Sequence, residues 1–120
     1  CIVYREINAS KHQIKLTRWE QGDWSKPEVV LSSSNNTTFS TLDITTDEDS
    51  IAIYYAVKNE GAFVIKREFT SSTWQSELLQ SSSAEDIRLS VISFDDKLTL
   101  YLSSLVNEQK LSELLIQPID

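Results

Sequence analysis

The chain repeats itself, and the repeat is what most limits the folds open to it. Displaced by 50 residues, Ile2-Val3-Tyr4 falls on Ala52-Ile53-Tyr54, Ile14 on Val64, Trp19 on Phe69 and Trp24 on Trp74. After a single gap at Pro27, Glu28-Val29-Val30-Leu31-Ser32-Ser33-Ser34 falls on Glu77-Leu78-Leu79-Gln80-Ser81-Ser82-Ser83. Further along the displacement shortens to 47, which sets Leu42-Asp43-Ile44 on Leu89-Ser90-Val91 and Ile51-Ala52-Ile53-Tyr54 on Leu98-Thr99-Leu100-Tyr101. Tyr4, Tyr54 and Tyr101 therefore mark one position in three units.

Inside each unit, short segments alternate with period two, which is the pattern of strands. Ile51, Ile53, Tyr55 and Val57 share one face, and Ala52, Tyr54 and Ala56 the other. A first strand (Phe39–Thr45, Ile87–Ser93) turns at an acidic loop into a second (Ile51–Val57, Leu98–Ser104). A hairpin leads to a third (Gln13–Trp19, Phe63–Phe69, Lys110–Ile116), and a turn closing on tryptophan precedes a fourth (Glu28–Leu31, Glu77–Gln80). Leu111, Leu114 and Leu115 have helical spacing, but the equivalent stretches of the earlier units read as strands, and strand is expected there too.

The fold class expected is thus all-β, with four-stranded antiparallel repeats amounting to about two and a half blades of a β-propeller. The blades would be a partial one over 1–35, a full one over 36–83 and a partial one over 84–120, ten strands in all. Propellers close with roughly four to eight blades. The reading therefore calls for a homo-oligomeric ring, or for a longer polypeptide. A ten-stranded β-sandwich, which needs no partner, is the alternative on the same strands.

Composition narrows the function. The formal net charge of −7 repels phosphate backbones, so nucleic acid is not an expected partner. Nor is a membrane, because no apolar run approaches the roughly 18 residues of a spanning helix. The single cysteine, Cys1, allows neither an internal disulfide nor a cysteine-based zinc cage, and no cofactor is expected.

The candidate ligand-binding residues are aromatic. Trp19-Glu20-Gln21-Gly22-Asp23-Trp24 and Phe69-Thr70-Ser71-Ser72-Thr73-Trp74 are both an aromatic, four residues and a tryptophan across a tight turn. An indole at a blade edge offers an apolar plane to the C–H face of a sugar. The same indole can instead wedge between blades and bury its area there. Trp24, Trp74, Trp19 and the tyrosines Tyr4, Tyr54 and Tyr101 make up the set.

Ile51-Ala52-Ile53-Tyr54-Tyr55, followed by Phe63-Val64-Ile65-Lys66-Arg67-Glu68-Phe69-Thr70-Ser71-Ser72-Thr73-Trp74, resembles a blade of the fungal-type fucose-specific propeller lectins. The resemblance implies a six-bladed ring and fucose held between blades by an arginine, a glutamate and an aromatic. Position by position, the family's arginine falls at Ile2, Ala52 and Thr99, and its glutamate at Leu16, Lys66 and Glu113. The tyrosines and tryptophans match. A second comparison, with the Asp-box repeats of sialidases, matches only at Thr73-Trp74, and Arg5, Arg18, Arg67 and Arg88 form no evident cluster.

The remaining features have plain readings. Asp47-Glu48-Asp49 and Asp95-Asp96 read as solvated hairpin turns rather than Ca²⁺ loops, because no glycine shapes a binding loop. His12, the one histidine, falls in a hairpin loop and has no triad partner. The sequons at Asn8, Asn35 and Asn36 fall in loops and are compatible with secretion. The expectation is a non-enzymatic recognition module, lectin-like, with a glycan between blades. A protein-interaction scaffold is the alternative, and a sialidase-like glycosidase comes third.

Overall fold

The computed structural model describes residues 1–7, 11–34, 39–82, 86–94, 97–107 and 110–119. Every regular element among them is a strand. In order these are β1 (Ile2–Ile7), β2 (Lys11–Thr17), β3 (Trp19–Glu20), β4 (Asp23–Trp24), β5 (Glu28–Ser34) and β6 (Phe39–Thr46). There follow β7 (Ser50–Val57), β8 (Gly61–Glu68), β9 (Gln75–Ser81), β10 (Asp86–Phe94), β11 (Lys97–Asn107) and β12 (Lys110–Ile119).

The strands form four antiparallel sheets, and none of them closes on itself: β1-β2-β5, the two-residue ribbon β3-β4, β6-β7-β8-β9, and β10-β11-β12. The middle sheet is a complete four-stranded meander. The first holds the equivalents of its second, third and fourth strands, and the last those of its first, second and third. Leaving aside the ribbon, this is the strand list and phase that the repeat predicts. The leucine-rich segment with helical spacing is the strand β12, whose Leu114 and Leu115 pair with Ser103 and Leu102 of β11.

By contacts the chain divides into two compact units, Cys1–Phe39 and Ser40–Asp120. In the first, β1 pairs with β2 from Ile2↔Thr17 to Ile7↔His12, and β2 pairs with β5 through a register shift between Ile14 and Lys15. Ile14 and Leu16 are buried on β2. Glu6 and Lys15 form a 2.6 Å ion pair, and Arg5 donates to the Phe39 carbonyl. His12 lies on β2 rather than in a loop, because Ile7 on one side and Ser33 on the other draw it into the ladder.

In the second unit β7 (Ser-Ile-Ala-Ile-Tyr-Tyr-Ala-Val) is apolar on both faces, as a strand with cover on both sides requires. Ile51, Ile53, Tyr54, Ala56, Ala62 and Val64 are all at most 1% exposed. Each isoleucine buried this way contributes roughly 1.5–3 kcal/mol. Cross-strand partners share a face, and Tyr55 stacks on its partner Phe63 with centroids 5.4 Å apart. On the opposite face Ala56 and Ala62 pack with Ile87 and Leu100 of the β10-β11-β12 sheet, flanked by Leu79, Leu89 and Val91.

A second tie joins the first strands of successive repeats. Thr41 Oγ1 accepts from Leu89 N at 3.3 Å, and Asp43 Oδ2 accepts from Val91 N at 2.8 Å. Both bonds span 48 residues, so β6 and β10 advance side by side in the same direction, linked by side chains rather than by a ladder.

Gly61 sits where the backbone of β9 comes close. Its φ is +139°, and a Cβ there would lie 2.1 Å from the Gln80 carbonyl oxygen. The register shift of β8 against β9 between Ala62 and Phe63 accompanies this crowding.

Candidate functional site

The two copies of the aromatic turn take different shapes, and the residues between the aromatics explain why. In the first copy Glu20 and Asp23 pair across a two-residue loop, and Gln21 and Gly22 have φ of 51° and 85°. Two successive positive φ values make the type I′ turn, whose twist suits a tight hairpin. Glycine takes that conformation freely. The second copy has Thr70-Ser71-Ser72-Thr73 at the same place, with no glycine, and forms no ribbon. Ser71 N donates to the Glu68 carbonyl at 3.0 Å, and Thr73 N donates to Ser71 Oγ at 3.1 Å, so hydroxyls organise this turn instead.

The ribbon sets Trp19 directly opposite Trp24. Their rings meet edge to face, with centroids 5.3 Å apart and planes at 77°. Trp19 is 57% exposed and Trp24 45% exposed, which is unusual for the largest apolar side chain. The base of the ribbon is clamped by Ser25, whose N–H donates to the Arg18 carbonyl at 2.7 Å while its hydroxyl accepts from Arg18 N at 2.9 Å. Thr17 Oγ1 donates to the Ser25 carbonyl at 2.7 Å. Arg18 and Glu20, the sequence neighbours of Trp19, form an ion pair of 2.8 Å.

In the second copy the indole is covered. The Arg67 guanidinium lies over the Trp74 ring, 4.8 Å from its centroid, in cation–π geometry. Beside this stack is a cleft of about 420 Å³, lined by Ser50, Ile51 and Ala52 of β7, Lys66, Arg67 and Glu68 of β8, and Ser71, Thr73 and Gln75. That volume lies within the usual range of small-ligand pockets. The pairing of Ser50 with Glu68, Ile51 with Arg67 and Ala52 with Lys66 fixes its floor. Phe69 N donates to the Asp49 carbonyl at 2.8 Å and holds the acidic turn against the end of β8.

That acidic turn is built by its own carboxylate. Asp47 Oδ1 accepts from Asp49 N at 2.8 Å and from Ser50 N at 2.7 Å, and both its oxygens lie 3.1 Å from Ser50 Oγ. These bonds hold the Asp47 carboxyl below its ordinary value of 3.8, the Asp49 amide contributing most. Among the described residues no group of three metal-ligating side chains converges. The counterpart turn, Asp95-Asp96, lies outside the described residues, as do Asn8, Asn35 and Asn36.

The six aromatics expected to form a site are therefore distributed as follows. Trp19 and Trp24 come together as an exposed pair, and Trp74 joins Arg67 at the cleft. Tyr54 is 1% exposed, with its hydroxyl 3.3 Å from Thr45 Oγ1, and offers no surface to a ligand. Tyr4 and Tyr101 are half-buried on β1 and β11. The residues missing from the sequence expectation are the charged ones. Arg18 and Glu20 adjoin Trp19 in the sequence and pair with each other, and Arg67 stacks on Trp74, at positions other than those the lectin pattern assigns. Their adjacency to the turn aromatics in both copies was the available signal. No protein-family model, curated protein or solved structure matches the chain.

Proposed function

We propose that the chain is a non-enzymatic carbohydrate-recognition module built from consecutive propeller blades, and that its third-to-fourth-strand turns carry the binding surface. The observation that carries this reading is the exposed Trp19–Trp24 pair. Two indoles held open at an angle on a glycine-turned ribbon form an apolar corner for the C–H face of a sugar. The same turn in the next repeat sets Trp74 under Arg67, which lines a cleft together with Glu68, Ser50, Ser71 and Thr73.

The blade reading is supported by the side-by-side, same-direction course of β6 and β10. In a propeller the first strands of successive blades line a common axis in this way. Ring closure through copies of this chain requires an assembly heavier than the 13.7 kDa protomer, and light scattering reads that mass directly.

The function is tested on a glycan array with wild type and Trp24→Ala. Because Trp24 is already half-exposed, its loss costs about 1 kcal/mol of stability or less. The expected result is wild-type binding that falls at least tenfold in the variant while the β circular dichroism spectrum persists. Absence of glycan binding by wild type, with capture of a protein partner instead, replaces this reading with an interaction scaffold. Hydrolysis of a glycoside removes both.

A further inference from the structure

We infer that the Trp19–Trp24 corner selects a 2-acetamido sugar, with the C–H face of the ring on one indole and the acetamido group flat against the other; this rests on the carbohydrate-recognition reading above. The first observation is the angle between the rings. Their planes meet at 77° with centroids 5.3 Å apart, so the edge of one indole stands against the face of the other and the two enclose an inside corner. A sugar stacked on one plane therefore brings its own edge against the second. In a plain hexose that edge is a row of hydroxyls, which lose water against an apolar wall at a cost. The ribbon holds one tryptophan pair, so the corner accommodates one ring.

The second observation is that wall and floor are both open. Trp19 is 57% exposed and Trp24 45% exposed, so each offers a broad plane rather than a notch. A lone methyl, as in a 6-deoxy sugar, covers little of such a plane. An acetamido group is itself planar and can lie flat on an indole with its methyl buried, while its N–H and carbonyl stay at the rim in water. The third observation is charge. Successive residues of a strand point to opposite faces, so the two acids of the ribbon, Glu20 and Asp23, lie on the side away from the indoles. Glu20 pairs with Arg18, and Asp23 Oδ1 accepts from Trp24 N at 2.8 Å. The indole face of the ribbon thus carries no charge of its own, which suits a neutral amide sugar.

The test is a calorimetric titration of the full chain with glucose, galactose, N-acetylglucosamine, N-acetylgalactosamine and 6-deoxygalactose, repeated with Trp19→Ala and Trp24→Ala. At least one acetamido sugar should bind roughly tenfold more tightly than its parent hexose, the scale set by burying a methyl and sparing a hydroxyl its desolvation. Each tryptophan variant should remove that preference, because the corner needs both planes. Both indoles are exposed, so the variants keep the fold, and circular dichroism checks that they do. Three results overturn the inference: equal binding of acetamido sugars and their parents, tighter binding of 6-deoxygalactose than of N-acetylgalactosamine, or a preference that survives both variants. If hexoses bind through Trp24 with no acetamido preference, only this inference fails. If none of the five sugars binds, the inference fails, and a blank glycan array takes the carbohydrate reading with it.

Discussion

The Asp43 carboxylate on β6 accepts a 2.8 Å hydrogen bond from the backbone N–H of Val91 on β10, 48 residues further along. Its other oxygen accepts from the neighbouring Ile44 N–H at 2.8 Å, so both are engaged. An edge amide that no ladder reaches is thereby satisfied by a side chain, and the first strands of two repeats are pinned in step.

Asp43→Ala should leave the half-buried Val91 N–H without its acceptor and cost about 1–3 kcal/mol. Asp43→Asn retains a carbonyl oxygen and should cost less. Urea titrations of the three proteins measure the difference, and equal midpoints would remove Asp43 from any such role.

Tyr54 separates packing from hydrogen bonding. Tyr54→Phe removes only the hydroxyl contact with Thr45 and should cost about 0.5–1.5 kcal/mol. Tyr54→Ala opens a large cavity beside its cross-strand partner Val64 and should cost roughly 3–5 kcal/mol. Thermal melts that rank the two in the reverse order would show that the ring is not core.

Gly61 admits no side chain. In Gly61→Ala the new Cβ meets the Gln80 carbonyl oxygen at 2.1 Å and the Ser81 Cα at 2.9 Å, backbone atoms that yield only if β9 moves. With φ of +139° adding strain, the expected loss is roughly 2 kcal/mol or more. Gly22→Ala, where φ is +85° but no atom lies within 4 Å, should be the milder change. Denaturation midpoints compare the pair.

Asp47 makes the acidic turn dependent on pH. Its folded-state value lies below the ordinary 3.8, so the stability it adds is present above 3.8 and is lost as the pH falls through the lower folded-state value. Wild type should therefore exceed Asp47→Asn in stability near neutral pH, and the gap should close on acidification below 3.8. A gap that widens on acidification would contradict the assigned bonds.

The strands were readable in the sequence because each is long enough to show its alternation, and the phase of the repeat followed from the tyrosine and tryptophan columns. Even the leucines of β12 yielded to the repeat, since a strand partner in β11 outweighs local helical spacing. The β3-β4 ribbon was not readable, for two residues have no period. The site was half readable. Trp19 and Trp24 were visible as a pair across a turn, whereas the Arg67–Trp74 stack depends on where the end of β8 meets the following turn. Tyr4, Tyr54 and Tyr101 share a sequence column but not an environment. Tyr54 belongs to a strand bonded on both sides and covered on both faces, while Tyr4 lies on β1, bonded to β2 alone in its sheet.

Burial of both faces of β7 and β8 also sets the order in which the molecule opens. Amides between Ile51 and Val57 and between Ala62 and Ile65 lie where solvent arrives only after the covering side chains have parted, so they should be the last to exchange their protons for deuterium. Within the same sheet the edge strands β6 and β9, each bonded on one side only, should label before them. The sheet then wears inward from its edges, and its durability is that of the β7-β8 hairpin rather than an average over its strands.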